Sequence, residues 1–195
     1  LCFGFNYIEG GPWNDDGIKA IIRFFGRAER MVERVAELRE QKSKSDVTQD
    51  EKELNYVRHM AIKGVTKDSE IFQFNTSIAK MMELLNALYK YDQEVENKNI
   101  PYFEEVLADL LKLLAPFAPH FAEEMWEQLG YEYSIFSQKW PVWDESALVR
   151  DNIELAIQIN GKVKGRIEVP SAASEKEIED MAMASPETVD LIAGK

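Results

Sequence analysis

The sequence predicts a mainly α protein: an antiparallel helical bundle over residues 1–150, followed by a small α+β segment with a β-hairpin over residues 151–195. Three patterns carry that expectation. Apolar residues recur at three- and four-residue intervals in several long runs, which gives each run one apolar helical face. Pro116 and Pro119 separate an apolar run from an amphipathic one, and a helix interior tolerates neither. After Trp140-Pro141-Val142-Trp143 the apolar period drops to two around Asn160-Gly161, the dipeptide best suited to a tight hairpin.

The first helix is expected from Asp15 to about Arg39, with Ile18, Ile21, Ile22, Phe25, Val32 and Val35 at helical spacing. Lys42-Ser43-Lys44-Ser45-Asp46 is a polar break. A second helix from Asp50 to about Lys63 carries Leu54, Val57, Ala61 and Ile62, and the stretch from Gly64 to Ser69 is expected to close it, glycine being a helix breaker. The third begins near Phe72 or Asn75, with Asn75 or Thr76 as candidate caps. It keeps Ile78, Met81, Met82, Leu85, Leu88 and Tyr89 near one face and is expected to end around Asn97 to Asn99. Pro101 suits the first turn of a fourth helix, whose stripe of Phe103, Val106, Leu107, Leu110, Leu111 and Leu114 reads as core. Pro116 ends that helix and Pro119 opens the fifth. There Phe121, Ala122, Met125, Trp126 and Leu129 form the apolar face, while Glu123 and Glu124 lie near the positive end of the helix dipole. Helices with one apolar face each and short connections must pack those faces together.

Further on, Ile153, Leu155, Ile157 and Ile159 alternate with Glu154, Ala156 and Gln158, and Val163, Ile167 and Val169 resume the same parity, which predicts two strands. Pro170 ends the second. Ser174 is the expected cap of a helix carrying Ile178, Met181 and Ala182, and Ser185-Pro186 is expected to start another short one. A lone hairpin is marginal in water, so a helix, the bundle or further strands must cover it.

With 45% hydrophobic and 30% charged residues in 195, the chain reads as a soluble globular protein of one ordinary domain and the beginning of a second. No apolar run approaches the roughly 20 residues that span a bilayer, so no membrane partner is expected. Leu1-Cys2-Phe3-Gly4-Phe5 has neither a basic lead nor a small-residue cleavage pattern, and a cytoplasmic location fits. Cys2 is the sole cysteine, too few for an internal disulfide or a thiolate zinc site.

A net charge of −12 argues against a nucleic-acid partner, because Lys and Arg supply phosphate contacts. The distribution of charge argues the other way. At 3.6 residues per turn, Lys19, Arg23, Arg27, Arg30 and Arg34 fall within an arc of roughly 80° opposite the apolar face of the first helix. Glu29, Glu33 and Glu37 flank or interrupt that ridge, which reads equally as a solvated face laced with i,i+4 pairs. In the second strand, alternation would place Lys162, Lys164 and Arg166 on one face, a basic row that also suits an edge strand protected by charge. Gly165 among them would permit close backbone approach or mark a bulge.

Ala115-Pro116-Phe117-Ala118-Pro119-His120-Phe121-Ala122-Glu123-Glu124-Met125-Trp126 resembles the last bundle corner of the tRNA-binding domain in class I aminoacyl-tRNA synthetases of the leucine, isoleucine and valine group. Two further segments sharpen this: Phe72-Gln73-Phe74-Asn75-Thr76-Ser77-Ile78-Ala79 with Met82-Glu83-Leu84-Leu85-Asn86, and Gln158-Ile159-Asn160-Gly161-Lys162-Val163-Lys164-Gly165-Arg166. Together they resemble the bacterial-type leucyl-tRNA synthetase family from about Trp13 to Lys195, most weakly at the N-terminus. The resemblance implies a bundle of the class I anticodon-binding-domain type, and a truncated opening of a small C-terminal domain that reaches the outer corner and long variable arm of tRNA. It implies ATP-dependent leucylation by a parent enzyme, with ATP and magnesium used outside this chain, a leucine-accepting tRNA as partner, the catalytic domain in cis, and a monomer. Apolar Leu1, Phe3, Phe5 and Ile8 would then face the bundle or that catalytic domain. By the same analogy the strand cations would touch backbone phosphates, giving position and affinity without base specificity.

No catalytic set can be assembled within the chain. His120-x-x-Glu123-Glu124 weakly resembles a zinc-peptidase helix, but a zinc site needs three protein ligands and His59 is the sole other histidine; His120 is expected to bond neighbouring backbone at the helix start. Lys42-Ser43-Lys44-Ser45 looks like a fragment of the class I ATP-binding loop, yet it lacks that loop's methionine pattern and reads as a polar connection. Trp126, Trp140 and Trp143 could stack on bases, but their settings suit core or domain-seam packing. The competing function is a non-catalytic helical adaptor for a protein partner, or the equivalent bundle of an isoleucyl- or valyl-tRNA synthetase.

Overall fold

The computed structural model describes residues 15–39, 41, 43, 48–132, 134–149, 152–159, 162–171 and 173–185. The expectations for the N-terminal apolar residues, for Cys2 and for a short helix from Pro186 lie outside these residues. The chain divides into two compact units, Leu1–Leu148 and Val149–Lys195.

The first unit is built on five helices: α1 (Asp15–Leu38), α2 (Gln49–Glu70), α3 (Phe74–Glu94), α4 (Ile100–Leu114) and α5 (Pro119–Gln128). α4 is the central member. Val106, Leu107, Leu110, Leu111 and Leu113 on it are fully buried, and Ala108 and Asp109 nearly so, the condition of a helix apolar on most of its circumference. Against it pack Met31, Val32 and Val35 of α1, Ile62 and Val65 of α2, Met81, Leu84, Leu85 and Leu88 of α3, and Ala122 and Met125 of α5. Pro101 and Pro119 stand in the first turns of α4 and α5, where a missing N–H costs nothing.

Local chemistry corrects several expected boundaries. α2 does not stop before Gly64 but continues to Glu70. A Cβ on Gly64 would collide with Cδ and Cε of Lys80 from α3, so the glycine serves a helix crossing there rather than a helix end. α3 ends at Glu94, short of Asn97, and its N-cap is Gln73, whose side chain makes no cap bond; Thr76 instead bonds the Gln73 carbonyl and Asp68. Asn99 caps α4 by accepting from the Tyr102 N–H at 3.2 Å. Ile18 and Ile22, assigned to the apolar face of α1, are 39% and 63% exposed.

Buried polar groups are tied together across the bundle. Arg58 of α2 donates to Asp109 (2.8 Å) and Glu105 (2.7 Å) of α4. Burial opposes the Arg58 charge, yet Asp109 and Glu105 outweigh it and raise its pKa. Burial also pushes the neighbouring Tyr102 hydroxyl up to about 12. Glu51, 1% exposed, caps α2 by accepting from Thr48 and from the Tyr91 hydroxyl of α3. A segment beyond α5, carrying 3-10 turns at Ile135–Ser137 and Ser146–Leu148, lies on α2 through three contacts. Trp140 Nε1 donates to Thr66 (2.8 Å), Lys63 to Glu145 (2.8 Å), and the Asp144 N–H to His59 Nδ1 (3.0 Å).

The second unit holds an antiparallel pair, β1 (Asn152–Ile159) and β2 (Lys162–Pro170), and α6 (Glu175–Ala184). Ser174 caps α6 in a reciprocal capping box with Glu177, as its Ser-x-x-Glu spacing requires. Ile153 stands opposite Val169, Leu155 opposite Ile167 and Ile157 opposite Gly165. The register then shifts, so that Val163 faces Gln158 and Lys162 faces Ile159. An extra residue of this kind is a β-bulge. It removes Val163 from the apolar parity expected of it, and Val163 is 56% exposed.

Candidate nucleic-acid interface

α1 turns Ala28, Met31, Val32 and Val35 into the core, and the period of the helix then fixes where its cations emerge. The five ridge residues are not equivalent. Lys19, Arg23 and Arg30 are exposed. Arg23 Nε donates to the Lys19 carbonyl at 3.3 Å, and among the described residues neither Arg23 nor Arg30 has a carboxylate within ion-pair distance. The i,i+4 pairing considered for these two is therefore not the arrangement found.

Arg27 and Arg34 are half-buried and engaged by α3. The Arg27 guanidinium lies 4.6 Å from the centre of the Tyr89 ring, and the Tyr89 hydroxyl donates to the Arg27 carbonyl at 2.9 Å. Arg34 Nε donates to both Asp92 carboxylate oxygens at 3.2 and 3.3 Å, and its Nη1 lies 3.5 Å from Glu37. Lys98 approaches the same Asp92 at 3.5 Å. Arg34 is thus neutralised within the fold, a correction to the reading that all five cations act alike. Lys19, Arg23 and Arg30 are the exposed members of the ridge, and Arg27 is held over the Tyr89 ring beside them.

The strand cations fare differently. Arg166 is exposed and stands across from Ala156. Lys162 is paired with Ile159, and Lys164 occupies the register shift without a cross-strand partner residue. The single alternation that would unite Lys162, Lys164 and Arg166 is broken by the bulge. The side chains of Lys162 and Lys164 lie outside the described residues.

The set-aside signals have plain structural settings. Trp126 is buried, stacked on Tyr131 at 4.3 Å, and donates to the Glu132 carbonyl. Trp140 and Trp143 donate to Thr66 and Glu145. His120 is exposed and, contrary to expectation, makes no hydrogen bond among the described residues. Ser43 accepts from the Ile100 N–H at 2.9 Å and donates to the Lys98 carbonyl, consistent with a connection. Among the described residues no three His, Cys, Asp or Glu side chains converge on a common point, and no helix is long and apolar enough to cross a membrane.

A groove of about 450 Å³ runs between Arg39, Ser43, Glu104, Lys112, Trp126 and Tyr131. Its charges are already spent on one another. Arg39 Nε donates to Glu104 at 2.8 Å, Tyr131 donates to Glu104 at 2.6 Å, and Lys112 pairs with Asp109 at 3.2 Å. The Arg39 hydrogen bond, with Tyr131 assisting against the cost of burial, holds the Glu104 carboxyl below its usual range. Sequence reasoning does not find Tyr89 or Asp92 as supports of the ridge, because each acts on a residue far away along the chain and no local pattern announces it.

The described residues thus combine a helical bundle that carries exposed cations on one flank of α1 with a hairpin unit that follows it in the chain. Residues 51–179 match the family model described as the anticodon-binding domain of tRNA ligase, and the chain belongs to that family. Its sequence is 57% identical to the leucine–tRNA ligase of Caldanaerobacter subterraneus subsp. tengcongensis and 49% identical to that of Clostridium kluyveri, in each case over 100% of this chain and 24% of the relative. The chain therefore spans about a quarter of the length of these relatives, all along which the likeness is to leucine enzymes. The fold is similar, with a TM-score of 0.70 and 29% identity, to the crystal structure of the ternary complex of Agrobacterium radiobacter K84 agnB2 LeuRS, tRNA and LeuAMS. That similarity covers 93% of this chain and 23% of the other.

Proposed function

We propose that this chain is the part of a leucyl-tRNA synthetase that grips the body of leucine-accepting tRNA, so that ATP-dependent leucylation can proceed at a catalytic domain in cis. The observation that carries this reading is the match of residues 51–179 to the anticodon-binding family, joined to likeness with leucine–tRNA ligases along the whole chain. The contribution is positional: binding energy is converted into orientation of the acceptor end. Contacts from Lys19, Arg23, Arg27 and Arg30 would go to phosphates, which set register and salt-dependent affinity. α1 precedes the range matched by the family model, so its role rests on the exposed, carboxylate-free setting of Arg23 and Arg30. Arg34 is omitted from this surface, being committed to Asp92. On the hairpin unit, Lys162, Lys164 and Arg166 would offer further phosphate contacts as separate cations, since the register shift breaks their single row.

In this reading the chain is monomeric, resides in the cytoplasm, and leaves ATP and magnesium to the catalytic domain. An adaptor for a protein partner is the competing account, and salt separates the two. Binding of the 195-residue chain to a leucine tRNA transcript should weaken steeply as salt rises, since each phosphate contact releases counterions. Changing Arg23, Arg27 and Arg30 together to Glu should weaken binding at least about tenfold and flatten the plot of log K against log salt by about three units. Unchanged affinity in that variant would remove α1 from the interface.

A further inference from the structure

We infer that Tyr89 is a positioning residue for RNA binding, acting through Arg27 without touching RNA itself; this rests on the tRNA-binding reading above. Arg27 sits between Arg23 and Arg30 on the cationic arc of α1, and it differs from both in being half-buried and gripped. One side chain of α3 engages it twice. The Tyr89 ring lies 4.6 Å from the guanidinium carbon, and the Tyr89 hydroxyl donates at 2.9 Å to the carbonyl of the same arginine.

The two contacts have different consequences. The hydrogen bond pins the α1 backbone at Arg27 to α3. The ring restricts the guanidinium plane, and that matters because the fork of N–H donors in arginine recognises phosphate in a fixed, often bidentate geometry. A free arginine must surrender its rotamer freedom on binding, whereas one already stacked has lost much of it beforehand. Neither Arg23 nor Arg30 has an aromatic partner among the described residues, so of Arg23, Arg27 and Arg30 it is Arg27 that a neighbouring helix orients. Asp92, three residues on along α3, holds Arg34 instead by charge and cancels it. α3 therefore treats two cations of one ridge oppositely: Tyr89 orients Arg27 and leaves its charge intact, while Asp92 consumes that of Arg34.

A double-mutant cycle tests this with the 195-residue chain and a leucine tRNA transcript. Tyr89→Leu removes the ring, Arg27→Ala removes the guanidinium, and each is measured alone and combined, with circular dichroism and thermal melting confirming that each variant is folded. The proposal expects Tyr89→Leu to weaken binding about two- to five-fold, the range of an exposed cation–π contact expressed as affinity, and to have no further effect once Arg27 is gone. Tyr89→Phe, which keeps the ring, should recover most of that loss even if Tyr89→Leu lowers the melting temperature. An equal loss from Tyr89→Leu whether Arg27 is present or replaced by alanine, or no loss in either background, would overturn the positioning role. If the triple reversal of Arg23, Arg27 and Arg30 leaves affinity unchanged, the α1 interface itself fails and this role falls with it. If the triple variant binds weakly but the cycle is additive, the interface stands and the role of Tyr89 alone is refuted.

Discussion

Arg58 and Asp109 are the residues on which the bundle's polar interior turns. Their side chains are 11% and 5% exposed, so removing the carboxylate leaves a largely buried guanidinium between α2 and α4 with the more exposed Glu105 as its remaining ionic partner. Truncating one partner of a buried pair is far costlier than replacing both by apolar groups. Asp109→Ala should therefore cost about 3 kcal/mol in urea denaturation, and combining Arg58→Met with Asp109→Leu should recover most of it. His59, one residue along, offers a pH test. Burial, reinforced by Arg58, lowers its pKa below the ordinary value of 6.5, and its Nδ1 accepts the Asp144 N–H as a neutral base. Below about pH 6.5 the unfolded chain binds a proton that the folded chain resists. The contribution of His59 is thus fully present above that pH and is lost as pH falls through its lower folded value. Asp144, Asp109 and Glu105 temper the shift without reversing it. The melting temperature should fall as pH drops below about 6.5, and His59→Asn, which keeps an acceptor without titrating, should flatten the fall.

At the level of helices and strands, side-chain period and chain punctuation are readable, whereas crossings are not. The limits of α1 and the two proline-started helices follow from apolar spacing and from the missing proline N–H, both local properties. Local reasoning ends α2 near Gly64 because glycine weakens any isolated helix, while the reason for glycine here is Lys80 on the next helix. In Gly64→Ala, gained helix propensity opposes displacement of Lys80 from Asp68. Chemical denaturation should show little net change for Gly64→Ala alone, but a gain of up to about 1 kcal/mol when it is made in a Lys80→Ala background. The bulge in β2 escapes a sequence reading for a related reason. Alternation predicts two strands, but the register shift between Ile157 and Gln158 depends on how the strands meet, and it dissolves the expected row of Lys162, Lys164 and Arg166.

For the molecule as a whole, a charge of −12 says nothing until it is placed. Asp92, Glu104, Glu105 and Asp109 are paired with Arg34, Arg39 and Arg58, whereas Arg23 and Arg30 on the outer flank of α1 have no carboxylate within ion-pair distance among the described residues. The cationic arc is legible from helical period alone. Its reduction from five members to an exposed group with one stacked neighbour is not, since Asp92 and Tyr89 come from α3. Site-specific photocrosslinking examines that surface most directly, with a benzoylphenylalanine placed at Arg30 on α1 or at Glu53 on the exposed side of α2 and leucine tRNA as the target. Crosslinks from position 30 and none from position 53 are the predicted result; tRNA captured at 53 and not at 30 would contradict the assignment of α1 as the gripping face.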